Sequence, residues 1–263
     1  MWHNGIHLAA QQLDRGLQFA DGHFTTLLVQ HQQALLWPAH WQRLQLACER
    51  LRISLPDQQR VHDCVLAAAA DFSCAVVKVI ITRGSGGRGY SPHGEYQSQW
   101  YVSATAHQPT VLAPAKLGVA ELQLGCQPLL AGLKSLNRLE QVLLADEREQ
   151  RGYDELVVLD QHQHVTEAVS SNIFWRVGKR WYTPQLSAAG VAGVLRQQVL
   201  QLGLLSEVAL GHFKLAHLLA AEQAFLCNSV QGFRAVATLD GQALADVEIP
   251  ETLSCWWQSN VSS

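Results

Sequence analysis

Lysine is scarce in this chain of 263 residues: only Lys78, Lys116, Lys134, Lys179 and Lys214 carry an amine side chain. Four of them have ordinary surface explanations. Lys78 alternates within a β-branched run, Lys116 follows a proline-containing stretch, Lys179 sits in the turn-like VGKR, and Lys214 lies on an amphipathic segment. Lys134 differs. It stands in GLKSLNRLEQVLLADE (residues 132–147), at a strand-to-helix junction, where Leu136, Leu139 and Leu143 repeat at helical spacing. That spacing predicts an apolar face packed inward. Burial there would depress the amine's pKa and make it a nucleophile. Position alone still favours the plainer reading of a solvent-facing lysine at a helix start, because lysine is mostly exposed.

Other chemistry-bearing patterns are weaker. RGSGGRGY (residues 83–90) satisfies GxGxxG through Gly84, Gly86 and Gly89. A dinucleotide site, however, needs a helix to follow, so that its N-terminal N–H groups can hold the pyrophosphate. SPHGEYQSQW follows instead, which leaves either a hairpin tip or a glycine-rich anion site with two arginine forks. The twelve histidines form no HExxH, and His162 and His164 fall in a turn-like stretch, so no metal site is expected. A GxSxG elbow and a Walker loop are absent from the sequence.

The elements that must position these residues follow from pattern and punctuation. Asn4-Gly5 signals a hairpin, residues 24–30 a strand, and residues 39–51 and 56–70 two helices. AVVKVIITRG and QWYVSATA read as strands, and HQPTVLAPAK as a linker. Beyond it the pattern restarts with a strand, the Lys134 helix, two hairpin-like segments (ELVVLDQHQHVTEAV and NIFWRVGKRWYTP), a helix over 194–204 and the strand FLCNSV. The fold class read from this is α+β, with a first domain over 1–107, a linker over 108–115 and a second domain over 116–263. Apolar residues make up 48%, charged residues 16%, and the net charge is −3, which suits a globular body and argues against nucleic acid as partner. Six scattered cysteines without CxxC pairs read as reduced thiols of a cytoplasmic protein. The first residues lack a secretory pattern, and no apolar run reaches the ~20 residues of a membrane span.

Several motifs taken in order, FADGHFTTLLV, HWQRL, ITRGSGGRGY, KSLNRLEQ, VTEAVSSN, GVLR and LCNSV, resemble the fold type IV family of pyridoxal-phosphate enzymes. That family includes D-amino-acid and branched-chain aminotransferases and aminodeoxychorismate lyase; RGSGGRGY and LNRLEQVL are most similar to its lyase members. The resemblance implies a small α/β sandwich domain, a larger pseudo-barrel domain with pyridoxal 5'-phosphate between them, and a homodimer. It implies Lys134 as the Schiff-base lysine and general acid/base, with Glu167 facing the pyridine nitrogen. Arg43, Gly193, Val194, Leu195, Asn228 and Ser229 would hold the cofactor phosphate, with Ser170 and Ser171 beside the ring. Arg88, Tyr90 and Phe24 would meet the substrate. Branched-chain members carry a tyrosine five residues after the lysine; Leu139 stands there, which counts against that activity. The activity implied is conversion of 4-amino-4-deoxychorismate to 4-aminobenzoate and pyruvate in folate biosynthesis. An aminotransferase on the same scaffold and a non-catalytic small-molecule binder stay open as alternatives.

Overall fold

A computed structural model describes residues 2–3, 6–7, 13–87, 89–92 and 96–261, and the chain divides into two compact units. The first comprises Met1–Ala106 together with Lys134–Asn137. Its elements are β1 (Trp2–His3), β2 (Ile6–His7), α1 (Arg15–Phe19), β3 (Gly22–Gln30), β4 (Gln33–Ala34), α2 (Trp37–Leu51), α3 (Gln58–Ala68), β5 (Cys74–Thr82) and β6 (Gln99–Ala106). β1 and β2 pair antiparallel around the expected hairpin, whose Asn4 and Gly5 lie outside the described residues.

An antiparallel sheet of order β4-β3-β5-β6 forms because β3 and β5 alternate. Leu27 and Val29 on β3, with Val77, Val79 and Ile81 on β5, bury one sheet face against Leu44 of α2 and Val61 and Val65 of α3. Each such side chain contributes about 1.5–3 kcal/mol by leaving water. The intervening residues, among them Phe24, Thr26 and Lys78, fall on the opposite sheet face. Pro38 lies in the first turn of α2, where N–H groups have no intrahelical acceptor, and Asp57 caps α3 by accepting the Arg60 N–H at 2.8 Å.

The second unit comprises His107–Leu133 and Arg138–Ser263. Its elements are β7 (Ala115–Val119), α4 (Leu139–Arg151), β8 (Glu155–Leu159), β9 (Val165–Ala168), β10 (Asn172–Val177), β11 (Arg180–Pro184), α5 (Val194–Gln201), β12 (Val208–Gly211), α6 (Leu215–Leu219), β13 (Gln223–Asn228), β14 (Gly232–Leu239), β15 (Gln242–Ala243) and α7 (Glu251–Val261). The strands run β12-β11-β10-β13-β14-β7-β8-β9, with β15 on β14, in one sheet curled into a half-barrel. Leu117, Val157, Ile173, Trp175, Leu226 and Val236 fill it. Because β8, β9, β10 and β13 are buried along most of their length, the loops at their ends have rigid mounts.

One expectation is corrected here. The Lys134 segment is not the start of an inward-packed helix. Lys134–Asn137 groups with the first unit, and α4 begins at Leu139. On α4, Leu139 is 73% exposed, Val142 60% and Leu143 58%, whereas Leu144 alone is buried. The helical period was real, but the apolar stripe it marks faces outward within this chain.

Among the described residues no helix is long and apolar enough to cross a membrane, and no group of three His, Cys, Asp or Glu side chains could hold a metal ion.

Candidate active site

In the first unit Lys134 lies on extended chain beside the start of β3. The Phe24 N–H donates to the Lys134 carbonyl at 2.9 Å, the Leu136 N–H donates to the Gly22 carbonyl at 3.0 Å, and His23 bridges Ser135 between them. This short added strand fixes the lysine's backbone more firmly than a helix terminus would. Its ammonium then sits 4.8 Å from the Phe24 ring centre. Lys78, across the sheet on β5, places its own ammonium 4.5 Å from the same ring. Two of the five lysines therefore meet one aromatic ring, a contact of about 0.5–2 kcal/mol each. Sequence reading treated Lys78 as surface; its odd place in the β-branched run AVVKVIIT was the available signal.

Behind Phe24 the same strand carries a neutral polar layer. His23 Nε2 lies 3.2 Å from Cys48 Sγ, and Thr25 Oγ1 lies 2.7 Å from His40 Nδ1, so β3 is stitched to α2. Burial pushes His23 down to about 4 and Cys48 up to about 12, so neither is charged at neutral pH. Burial, and then the nearby Arg43 charge, hold His40 well below the ordinary histidine range. Arg43 sits one helical turn beyond His40 on α2, its guanidinium pushed down to about 10 by burial. A cation so desolvated, anchored by a packed helix, suits an anion such as a phosphate.

The glycine-rich stretch 83–90 connects antiparallel β5 to β6, with no helix after it, so the dinucleotide reading fails. Gly84 has φ +90°, and a Cβ there would meet the Gln97 carbonyl oxygen at 2.1 Å. Arg83 is committed to structure: it donates to Asp21 and to the carbonyls of Leu51 and Arg52. Burial alone would raise the Asp21 pKa, but hydrogen bonds and charge from Arg83 and Arg15 outweigh it and hold the carboxyl below its usual value. Arg15 also grips the loop through the carbonyls of Gly89 and Tyr90. Tyr90 itself is 85% exposed and meets Phe19 edge-on at 5.3 Å. Arg88 lies outside the described residues.

In the second unit Glu167 is the buried carboxylate of β9, and its Oε2 accepts the Val191 N–H at 2.8 Å. Arg138, immediately before α4, is coupled electrostatically to Glu167. Leu139, one residue on, is largely exposed within this chain.

The loop over 190–193 is clamped on several sides. Gly132 donates to the Gly190 carbonyl at 2.9 Å, and its own carbonyl accepts the Ala192 N–H at 3.0 Å. Asn172, at the start of β10, donates to the Val191 carbonyl and accepts the Gly193 N–H, both at 2.9 Å. A Cβ on Gly193 would stand 1.9 Å from Asn172 Oδ1, so this close approach requires glycine. The Gly193 N–H is thus spent on Asn172. The first-turn N–H groups of α5, from Val194 and Leu195 onward, have no intrahelical acceptor by geometry and suit an anion. Arg196 anchors α5 by donating to the Pro184 carbonyl at 2.6 Å and to Thr183 Oγ1 at 3.2 Å. Asn172 and Arg196 stand inside the quoted motifs, yet their roles depend on partners far along the chain.

Ser170 is exposed and turns both its N–H and its hydroxyl to Glu155. Ser171 is buried, and its Oγ accepts from Asn228 Nδ2 at 3.1 Å. Asn228 Oδ1 accepts the N–H groups of Val230 and Gln231 at 3.0 and 2.8 Å, which shapes the turn containing Ser229.

Taken unit by unit, the chemistry suits parts of a phosphorylated aldehyde cofactor: the first unit offers a primary amine and a desolvated arginine, and the second a helix N-terminus opened by a glycine that a Cβ would fill and a buried carboxylate. Comparison with known proteins agrees with this chemistry. Residues 22–239 match the family model described as amino-transferase class IV. The chain is 38% identical, over 90% of its length and 90% of the relative's, to an aminodeoxychorismate lyase of Vibrio harveyi. It superposes with a TM-score of 0.85 and 34% identity on the crystal structure of 4-amino-4-deoxychorismate lyase from Pseudomonas aeruginosa, covering 100% of this chain and 99% of that one. The branched-chain amino acid aminotransferase of Escherichia coli shares the fold, with TM-score 0.79 at 17% identity, covering 97% of this chain and 91% of that one.

Proposed function

From its membership of the class IV aminotransferase family, to which the chain belongs, we propose that it is a lyase that uses pyridoxal 5'-phosphate to convert 4-amino-4-deoxychorismate to 4-aminobenzoate and pyruvate, a reaction of folate biosynthesis. The observation that carries the reading is the pair of ammonium groups on one Phe24 ring, with Lys134 as the reacting amine and Lys78 as a second, fixed cation. A substrate bearing two carboxylates needs cations beyond those that hold a phosphate.

When bound, the cofactor supplies a ring that accepts electron density from the substrate carbon bearing the amine. The residues proposed for its phosphate are Arg43 in the first unit and, in the second, the first turn of α5 and the turn at Asn228 and Ser229, with Ser170 and Ser171 proposed beside the ring. Glu167, oriented by the Val191 N–H, would keep a proton on the ring nitrogen. Lys134 removes the proton from the amine-bearing carbon of the substrate. The bond from the neighbouring carbon to the enolpyruvyl oxygen then breaks and the substrate ring becomes aromatic. The proton taken by Lys134 is available to the departing enolpyruvate, which leaves as pyruvate, so no oxidant and no keto acid is consumed. Lys78 and Arg88 are the proposed carboxylate partners, and Phe24 is the apolar ring that both ammonium groups approach.

The exposed α4 stripe of Leu139, Val142 and Leu143 supports a homodimer, since contiguous exposed leucines mark a surface that another chain covers. Six free cysteines support a cytoplasmic location. The test is to give the cofactor-loaded protein an amino donor. A lyase leaves the cofactor spectrum in place, whereas stoichiometric conversion to pyridoxamine phosphate would establish the aminotransferase reading instead.

A further inference from the structure

Glu155 opens β8 and is 4% exposed, and none of the steps above uses it. Its Oε1 accepts both the N–H of Ser170, at 3.2 Å, and the Ser170 hydroxyl. Its Oε2 is buried and has no hydrogen-bond partner among the described residues. Burial raises the pKa of this carboxyl, against the hydrogen bonds from Ser170 and the Arg148 charge. Burying a carboxyl so deeply is costly unless it is hydrogen-bonded, and what it bonds is Ser170. What it holds is a tight turn: the Ala168 N–H donates to the Ser171 carbonyl at 2.7 Å, and Ser170 is the corner between them. Glu167 stands just before the turn and Ser171 at its end. Ser171 is in turn bound by Asn228, which organises the N–H groups of Val230 and Gln231.

We propose that Glu155 is a positioning residue. By pinning Ser170 it sets the turn between Glu167 and Ser171, and through the Ser171–Asn228 contact it orders the separate turn over 228–231. The chain of contacts runs from a buried carboxyl to two loops that are distant in sequence. Both loops carry residues assigned above to the cofactor, so the consequence for cofactor binding rests on that reading. The ordering of the loops does not.

Two measurements separate these. In the protein without cofactor, amide hydrogen exchange should rise at residues 168–171 and also at Val230 and Gln231 in Glu155→Leu and in Ser170→Ala, and stay near wild type in Glu155→Gln, which keeps the accepting oxygen. In protein titrated with pyridoxal phosphate and followed by visible absorbance, Glu155→Leu and Ser170→Ala should each weaken affinity about ten-fold, with the double variant no worse than either single one. Glu155→Gln should stay within about two-fold of wild type. Ser170→Ala keeps the test usable should Glu155→Leu not fold. Exchange that changes only at Ser170, or single-variant effects that add in the double variant, would overturn the proposal. Exchange as predicted with wild-type protein that takes up no pyridoxal phosphate would retain the positioning role and overturn the cofactor reading.

Discussion

The two units build their functional residues by different means. In the first, the functional groups are cations displayed from regular elements: Lys78 and Phe24 from paired strands, Arg43 from a packed helix, and Lys134 from chain hydrogen-bonded onto β3. What lies behind them is neutral, because burial keeps His23 and His40 unprotonated and Cys48 a thiol. In the second, the groups are a carboxylate on β9 and main-chain N–H donors at the ends of loops and of α5, and what lies behind them is polar: Glu155, Asn172 and Arg196, each spent on a loop or helix end. A cation on a strand needs only a packed core to aim it. A loop of N–H donors needs a buried side chain for each turn, because its backbone groups have no ladder to join. The first design should fail through charge and the second through geometry.

The largest break in this contrast is Lys134→Ala. It removes the one group asked to attack and to move a proton, so turnover should fall by roughly 10³-fold or more while the thermal transition stays near wild type. Residual turnover near the wild-type rate would contradict it. Glu167→Gln keeps the shape of the carboxylate and its acceptor for Val191 but not its charge. It should retain cofactor and lose about 2–4 kcal/mol of barrier stabilisation, seen in kcat, and an unchanged kcat would remove Glu167 from its role.

The neutral layer of the first unit makes a prediction in pH. His23 has a folded pKa of about 4, below the value near 6.5 of an unfolded histidine. Between those values the unfolded chain binds a proton that the folded chain excludes. Stability therefore falls as the pH is lowered from about 6.5 to about 4, by about 3 kcal/mol for this residue. Denaturant unfolding at several pH values checks it, and His23→Gln should flatten the slope in that window. The smallest effect sharpens the contrast. Lys78→Ala should raise KM for the substrate, lowering kcat/KM by about 10- to 150-fold, with cofactor affinity unmoved. Loss of cofactor instead would place Lys78 with the phosphate group.

The same contrast explains what was legible in the sequence. Strands β3, β5 and β6 and helices α2 and α3 follow their periods because local pattern and burial agree in them. Helix α4 shows where pattern misleads: Leu139 and Leu143 keep helical spacing, yet periodicity cannot say whether a stripe faces this chain's core or outward. Lys78 was set aside because alternation in a strand gives a residue's side but not its company. Arg138, Asn172 and Glu155 were invisible as functional residues for one shared reason. Each acts on a segment at least 15 residues away in sequence, through a hydrogen bond or a charge that only the tertiary fold creates.

The most direct test of the account is a product balance with cofactor-loaded protein, aminodeoxychorismate and no keto acid. The account predicts one 4-aminobenzoate and one pyruvate for each substrate consumed, and neither from Lys134→Ala. Product that forms only after a keto acid is added, or equal product from the alanine variant, would contradict it.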